Sequence, residues 1–309
     1  MAMPAYSWGF YAHARIHHFA VFLLPPPLLT FYKSHVDFIT EHATDPDRRR
    51  YLIAEEGPRH YIDLDHYGTF PFAALPRNYR EAKASFGEDS LHAHGIVPWQ
   101  IRWSMLQLTD AFRKKDVKLI LKYSTDLGHY MADAHVPLHT SSNHNGQYTN
   151  QHGIHGFWES RVPELLAEST FDFYIEPAIY FNEPDVFIWK RVLESAAAVD
   201  SVLKLERKLS EKTRPDRKFA FEERNGKLVK QYSSAYTMRY HAMLSGMVER
   251  RMRQSIHSVA SAWMTAWIDA GQPDLSGLIA VHWSEQEKKE MESLHGNWLE
   301  AHPMMGRSE

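Results

Sequence analysis

Apolar residues recur along this chain at helical spacing, and that period limits what it can fold into more than any other feature. After Asp116, read as a helix cap, Val117, Ile120, Leu121, Ser124, Leu127 and Met131 share one helical face. Met243, Met247, Met252, Ile256, Val259, Trp263 and Trp267 form a second stripe. It predicts one long helix over 235–270, stopped by Gly271 and Pro273. That Met and Trp face reads as core rather than as a binding groove. A third amphipathic helix is expected over 189–212. Strand signals are few, the clearest being KFAFEERNGKLVKQY, where Asn225-Gly226 can close a hairpin. The apolar stretch 19–29 is broken by Pro25, Pro26 and Pro27 and reads as a buried helix end followed by a stiff turn.

The expectation is therefore an all-α fold, a single mostly helical domain with a small β-hairpin. No repeat or Pro/Gly/Ser linker divides the chain, and no apolar run is long enough to cross a membrane. Of 309 residues, 44% are hydrophobic and 24% charged, the ordinary mix of a globular protein with a sizeable core. A formal net charge of -3 gives no bulk electrostatic capture of nucleic acid, so any such binding would be local. With no cysteine, disulfides and thiolate metal sites are excluded.

Histidine is the unusual residue. The chain has 20, and fifteen of them lie between His13 and His155. Imidazole is the commonest metal ligand and acid-base group, so the skew locates chemistry in the first half. In DLGHYMADAHVPLH, His129 and Asp133 stand four apart, on one face if the helix after Asp116 continues, and His139 follows Pro137. In HGIHGFWES, His155 and Glu159 repeat that spacing. RHYIDLDHYG supplies His60, Asp63, Asp65 and His66; HATDPDRRR supplies Asp45, fifteen residues before His60; WGFYAH pairs Trp8 with His13. Each piece alone is weak, since a lone His-x-x-x-Asp is more often a surface pair. Together they offer imidazoles and hard carboxylates, a donor set that suits zinc in a hydrolytic site.

In order and spacing, residues 8–164 resemble the zinc-dependent bacterial phospholipases C and the fungal-type single-strand-specific nucleases. The resemblance rests on Trp8 with His13, Asp45 with His60 and Tyr61, His129-x-x-x-Asp133 with His139, and His155-x-x-x-Glu159. It implies a helical domain over 8–275 with a C-terminal extension over 276–309, and three zinc ions. One ion would take Asp45, His60, His129 and Asp133. A second would take Trp8 (through its amino and carbonyl groups), His13 and the shared Asp133. The third would take His139, His155 and Glu159. A metal-bridging hydroxide would attack the phosphodiester, with Asp45 orienting the water or relaying its proton. Glu159 and the absence of cysteine favour a phospholipid substrate. Tyr61 and Asp63, resembling a base pocket, favour single-stranded nucleic acid. A non-catalytic metal-binding scaffold would need extra ligands such as His66 or His152. His66, His92, His94, His144 and His152 read as loop residues or neighbours of the ligands, open to a supporting or substrate role, and His17, His18, His35, His42, His241, His257, His282, His295 and His302 as surface or core. Residues 1–7 read as the end of a signal peptide, which implies export, or alternatively as a cytoplasmic leader.

Overall fold

The computed structural model describes residues 9–224 and 227–299. Trp8, residues 1–7 with the signal-peptide or leader reading, and Asn225-Gly226 with the expected hairpin closure lie outside the described residues. The fold is mostly helical, with one two-stranded sheet among the described residues. Its N-terminal part runs through α1 (Phe10–Val21), α2 (Pro26–Ser34), α3 (Val36–Glu41), α4 (Asp45–Arg49), α5 (Tyr79–Phe86), α6 (Glu88–His94) and α7 (Val97–Lys114). The central helix α8 (Val117–Asp133) is followed by α9 (Ile154–Gly156) and α10 (Val162–Thr170). Then come α11 (Pro184–Glu211), α12 (Pro215–Lys218), α13 (Ser234–Met243), α14 (Met247–Asp269) and α15 (Glu285–Leu299).

Helix α8 starts as its sequence predicts: the Asp116 carboxylate accepts from Leu119 N at 3.1 Å, satisfying an otherwise orphaned amide. From Leu127 to its end every residue is buried, because α1, α7 and α14 pack around it. Gly128 permits the approach of α1, since a Cβ there would run into the His17 ring. Across α8, Trp263 donates to the Ser124 carbonyl (2.9 Å) while Tyr32 stacks on Trp263 and bonds the Ser124 hydroxyl (2.7 Å). These contacts fix the register of α14 and α2 against the central helix.

Two expectations need correction. The long helix over 235–270 is two helices, broken where Ser245 and Gly246 adopt φ of 51° and 74°. The Met and Trp period runs through the break because both helices bury a face in the same core. The three prolines do more than stiffen a turn. Pro25 caps α2 and Pro26 opens it, at positions where a missing N–H costs no hydrogen bond.

The predicted hairpin forms from β1 (Phe219–Arg224) and β2 (Lys227–Tyr232), antiparallel, with Phe219 opposite Tyr232 and Glu222 opposite Val229. Arg161 ties it to the helical body, donating from Nε to the Tyr232 carbonyl (3.0 Å) and from Nη1 to Glu222 (2.9 Å). Phe157 stacks on Tyr232 at 3.8 Å. Segment 276–299 lies against α3 and α8, where Trp283 stacks on Phe38 and Glu287 pairs with Lys118 at 2.8 Å. Among the described residues no helix is long and apolar enough to cross a membrane.

Candidate metal centre

Seven short or central elements converge on one buried volume. Helix α1 brings His13, α4 brings Asp47, and α8 brings His129 and Asp133 on one face, four residues apart. A 3-10 turn over Ala54–His60 ends in His60, and a second over Pro137–Thr140 carries His139. His155 sits in α9, and the π-turn Phe157–Arg161 sets Glu159 behind it. Such π-turns concentrate at functional sites. These side chains form three groups, each with donor atoms close enough for a cation: His13 with Asp47 and His129, His60 with His129 and Asp133, and His139 with His155 and Glu159, the first two sharing His129, which can ligate in one of them.

His129 is common to the first two groups, and Asp133 of the second also faces His13 of the first. Its Oδ2 faces His60 Nδ1 (3.0 Å) and His129 Nε2 (3.3 Å), while Oδ1 faces His13 Nε2 (3.4 Å). Asp47 Oδ1 closes the same volume, 3.5 Å from His129 Nε2 and 3.6 Å from His60 Nδ1. In the third group His155 Nε2 lies 3.0 Å from Glu159 Oε2, with His139 Nε2 3.5 Å from that oxygen and 3.1 Å from His155 Nε2.

The residues fit divalent metal ions on three observations. First, ligand atoms about 2.0–2.1 Å from a tetrahedral zinc ion stand about 3.3 Å apart, and the separations above scatter around that edge length. Second, the rings are pre-set. His129 Nδ1 faces the Ala43 carbonyl (2.8 Å), His139 Nδ1 the His60 carbonyl (2.6 Å) and His155 Nδ1 the His144 carbonyl (3.2 Å). A carbonyl only accepts, so each Nδ1 carries the proton and each Nε2 offers its lone pair inward. Third, both nitrogens of His13 and both carboxylate oxygens of Asp47 are buried without a hydrogen-bond partner. A fold does not bury such groups without compensation, and a cation between them would supply it.

Electrostatics agree. Burial pushes the His129 imidazolium toward losing its proton, yet the carboxylates of Asp133 and Asp47 outweigh it and hold its pKa well above the ordinary value. Burial would raise Asp133, but the imidazoles of His129 and His139 keep it well below the usual carboxylate range. His13 goes the other way, pushed down to about 4 by burial and by His129. The carboxylates thus demand positive charge between the rings, while His13 stays a neutral donor.

Of the sequence-predicted residues, His13, His60, His129, Asp133, His139, His155 and Glu159 come together; Trp8 lies outside the described residues. Asp45 is a correction. Its carboxylate turns away to His42 Nδ1 (2.7 Å) and Arg48 Nη1 (2.9 Å), and Asp47 occupies the place expected of it. Residues two apart on a helix lie roughly 200° apart around its axis, so only one carboxylate of Asp-Pro-Asp can face the centre. Tyr61 does not present a stacking face: it is buried over Gly95, and its hydroxyl donates to the Ala93 carbonyl at 3.4 Å. Asp63 is buried too, 3.7 Å from His94 Nδ1. His66 stacks on His94 and His152 is exposed, and neither belongs to the three groups. No protein-family model matches the chain, and a search of curated proteins finds no match.

Proposed function

We propose that this chain is a metal-dependent phosphodiester hydrolase of phospholipase C type, holding three zinc ions. The observation that carries the reading is the Asp133 carboxylate, which faces His60 through one oxygen and His13 of the neighbouring group through the other, beside a third group of His139, His155 and Glu159. Zinc bound in these groups would activate water at neutral pH and neutralise charge on phosphate oxygens. The protein's own part is to hold that chemistry in place. Asp133 sets the spacing of the first two groups. His139, His155 and Glu159 define a separate position for the charge of the phosphate. Asp47, with both oxygens free of hydrogen bonds, takes the proton-accepting role first read onto Asp45. The P–O bond to the leaving alcohol breaks as the water oxygen bonds to phosphorus, and the water's proton passes toward that alcohol.

Three features favour phospholipid over single-stranded nucleic acid. Glu159 stands where the phospholipase branch of the resemblance has Glu, the chain has no cysteine, and Tyr61 has no exposed face on which a base can stack. The test is a parallel assay of one zinc-loaded sample on a chromogenic phosphocholine diester and on single-stranded DNA. Faster turnover of the diester supports the reading. Faster cleavage of DNA transfers the protein to nuclease chemistry, and turnover of neither removes the hydrolase proposal.

A further inference from the structure

We propose that Glu56 is the positioning residue that turns His60 toward the metal centre. The inference rests on the metal-centre reading but not on the choice of substrate. His60 differs from the other rings at the site. His129, His139 and His155 direct Nδ1 to backbone carbonyls and Nε2 inward. His60 is reversed, with Nδ1 facing Asp133 and His129 at 3.0 and 3.1 Å. Its outward Nε2 faces a carboxylate, Glu56 Oε1, at 3.6 Å. That gap is longer than a hydrogen bond. A cation on Nδ1 leaves the ring proton on Nε2, and the proton then points at Glu56.

The rest of Glu56's surroundings explain why it stays ionised and in place. Its side chain is fully buried, and it accepts from Arg59 Nη1 (3.0 Å), Arg49 Nε (3.3 Å) and the Tyr130 hydroxyl. Arg49 also donates to Asp126 at 2.9 Å and to the Tyr130 hydroxyl at 3.3 Å. Arg49 lies two residues after Asp47 on α4, and Tyr130 directly follows His129 on α8. One network therefore braces three elements that carry donors. A carboxylate behind a metal-bound imidazole fixes the ring and raises its basicity, and its loss typically weakens metal binding about 10–100-fold.

The experiment is a zinc competition titration against a chromophoric chelator on the full chain, wild type against Glu56→Gln, Tyr130→Phe and Glu206→Gln. Glu206 is the control. It is a buried carboxylate held by Tyr236 (2.6 Å) and Lys218 (2.8 Å) outside the three donor groups. Glu56→Gln should release one zinc ion about 10–100-fold more readily, Tyr130→Phe less so, and Glu206→Gln should match wild type. Circular dichroism establishes that each variant is folded. If Glu56→Gln does not fold, long-range nitrogen-15 NMR on the zinc-loaded wild type decides the matter. It should show the proton of His60 on Nε2 and those of His129, His139 and His155 on Nδ1. Wild-type zinc affinity in folded Glu56→Gln, or a His60 proton on Nδ1, overturns the proposal. Neither readout needs hydrolysis, so a protein that binds zinc tightly and cleaves no phosphodiester defeats the functional reading alone. A wild type that takes up no zinc defeats both.

Discussion

Asp133 places its Oδ2 3.0 Å from Nδ1 of His60, a residue 73 positions earlier in the chain. Its other oxygen faces His13, so one side chain connects two donor groups. Asp133→Ala should therefore remove more metal than any other single substitution at the centre. Plasma mass spectrometry on the dialysed protein should find about one zinc ion per chain in place of about three, with the His139, His155 and Glu159 group still loaded. Retention of the full complement would show that Asp133 bridges nothing.

The neighbouring pair Asp45 and Asp47 gives a sharper contrast. Asp47→Asn replaces a carboxylate among the donor atoms by a neutral amide and should weaken zinc binding and slow hydrolysis together. Asp45→Asn loosens only the contacts to His42 and Arg48 and should cost no more than about 1 kcal/mol of stability, with zinc content unchanged. Equal metal loss in both variants, read by the same metal analysis, would contradict the placement of Asp47.

That pair also marks the limit of what the sequence discloses. The start of α8 at Asp116 and the hairpin strands were legible because each depends on residues next to one another in the chain. So were the His129/Asp133 and His155/Glu159 pairs, which need only helical spacing. The choice between Asp45 and Asp47 was not, because it depends on how a five-residue helix is rotated against α8. The break at Ser245 and Gly246 was hidden by a Met and Trp period that continues across it. Glu56 was missed although its signal was present: it stands four residues before His60, the same carboxylate–imidazole spacing in reverse order.

Burial of Tyr61 alters what its removal should do. An exposed stacking residue would affect nucleic-acid cleavage alone. A buried ring lost to alanine leaves a cavity, so Tyr61→Ala should lower stability by about 3 kcal/mol and depress turnover of the phosphocholine diester and of any DNA alike. Urea unfolding and the two assays check this. Selective loss of DNA cleavage at unchanged stability would restore the base-pocket role.

Stability should also fall in mild acid. His135 is buried, facing the Met131 carbonyl through Nδ1 (2.8 Å) and the Ser258 hydroxyl through Nε2 (3.1 Å). Burial, reinforced by the Arg251 guanidinium, keeps its pKa well below the ordinary histidine value. Above pH ~6.5 neither the folded nor the unfolded chain protonates this ring. Below it the unfolded chain takes up a proton that the fold refuses, so this residue alone removes about 1.4 kcal/mol per pH unit down to its folded pKa. Urea unfolding of zinc-loaded protein at several pH values should show His135→Gln with a shallower acid loss than wild type. Parallel curves would mean that His135 is protonated in the fold.

Metal dependence of hydrolysis is the most direct test of the account. Zinc per chain and turnover of the phosphocholine diester should be measured on the same purified sample, before chelation, after chelation and after zinc is restored. The account predicts about three zinc ions per chain, loss of hydrolysis with the metal, and recovery of both together. Full turnover from metal-free protein would contradict it.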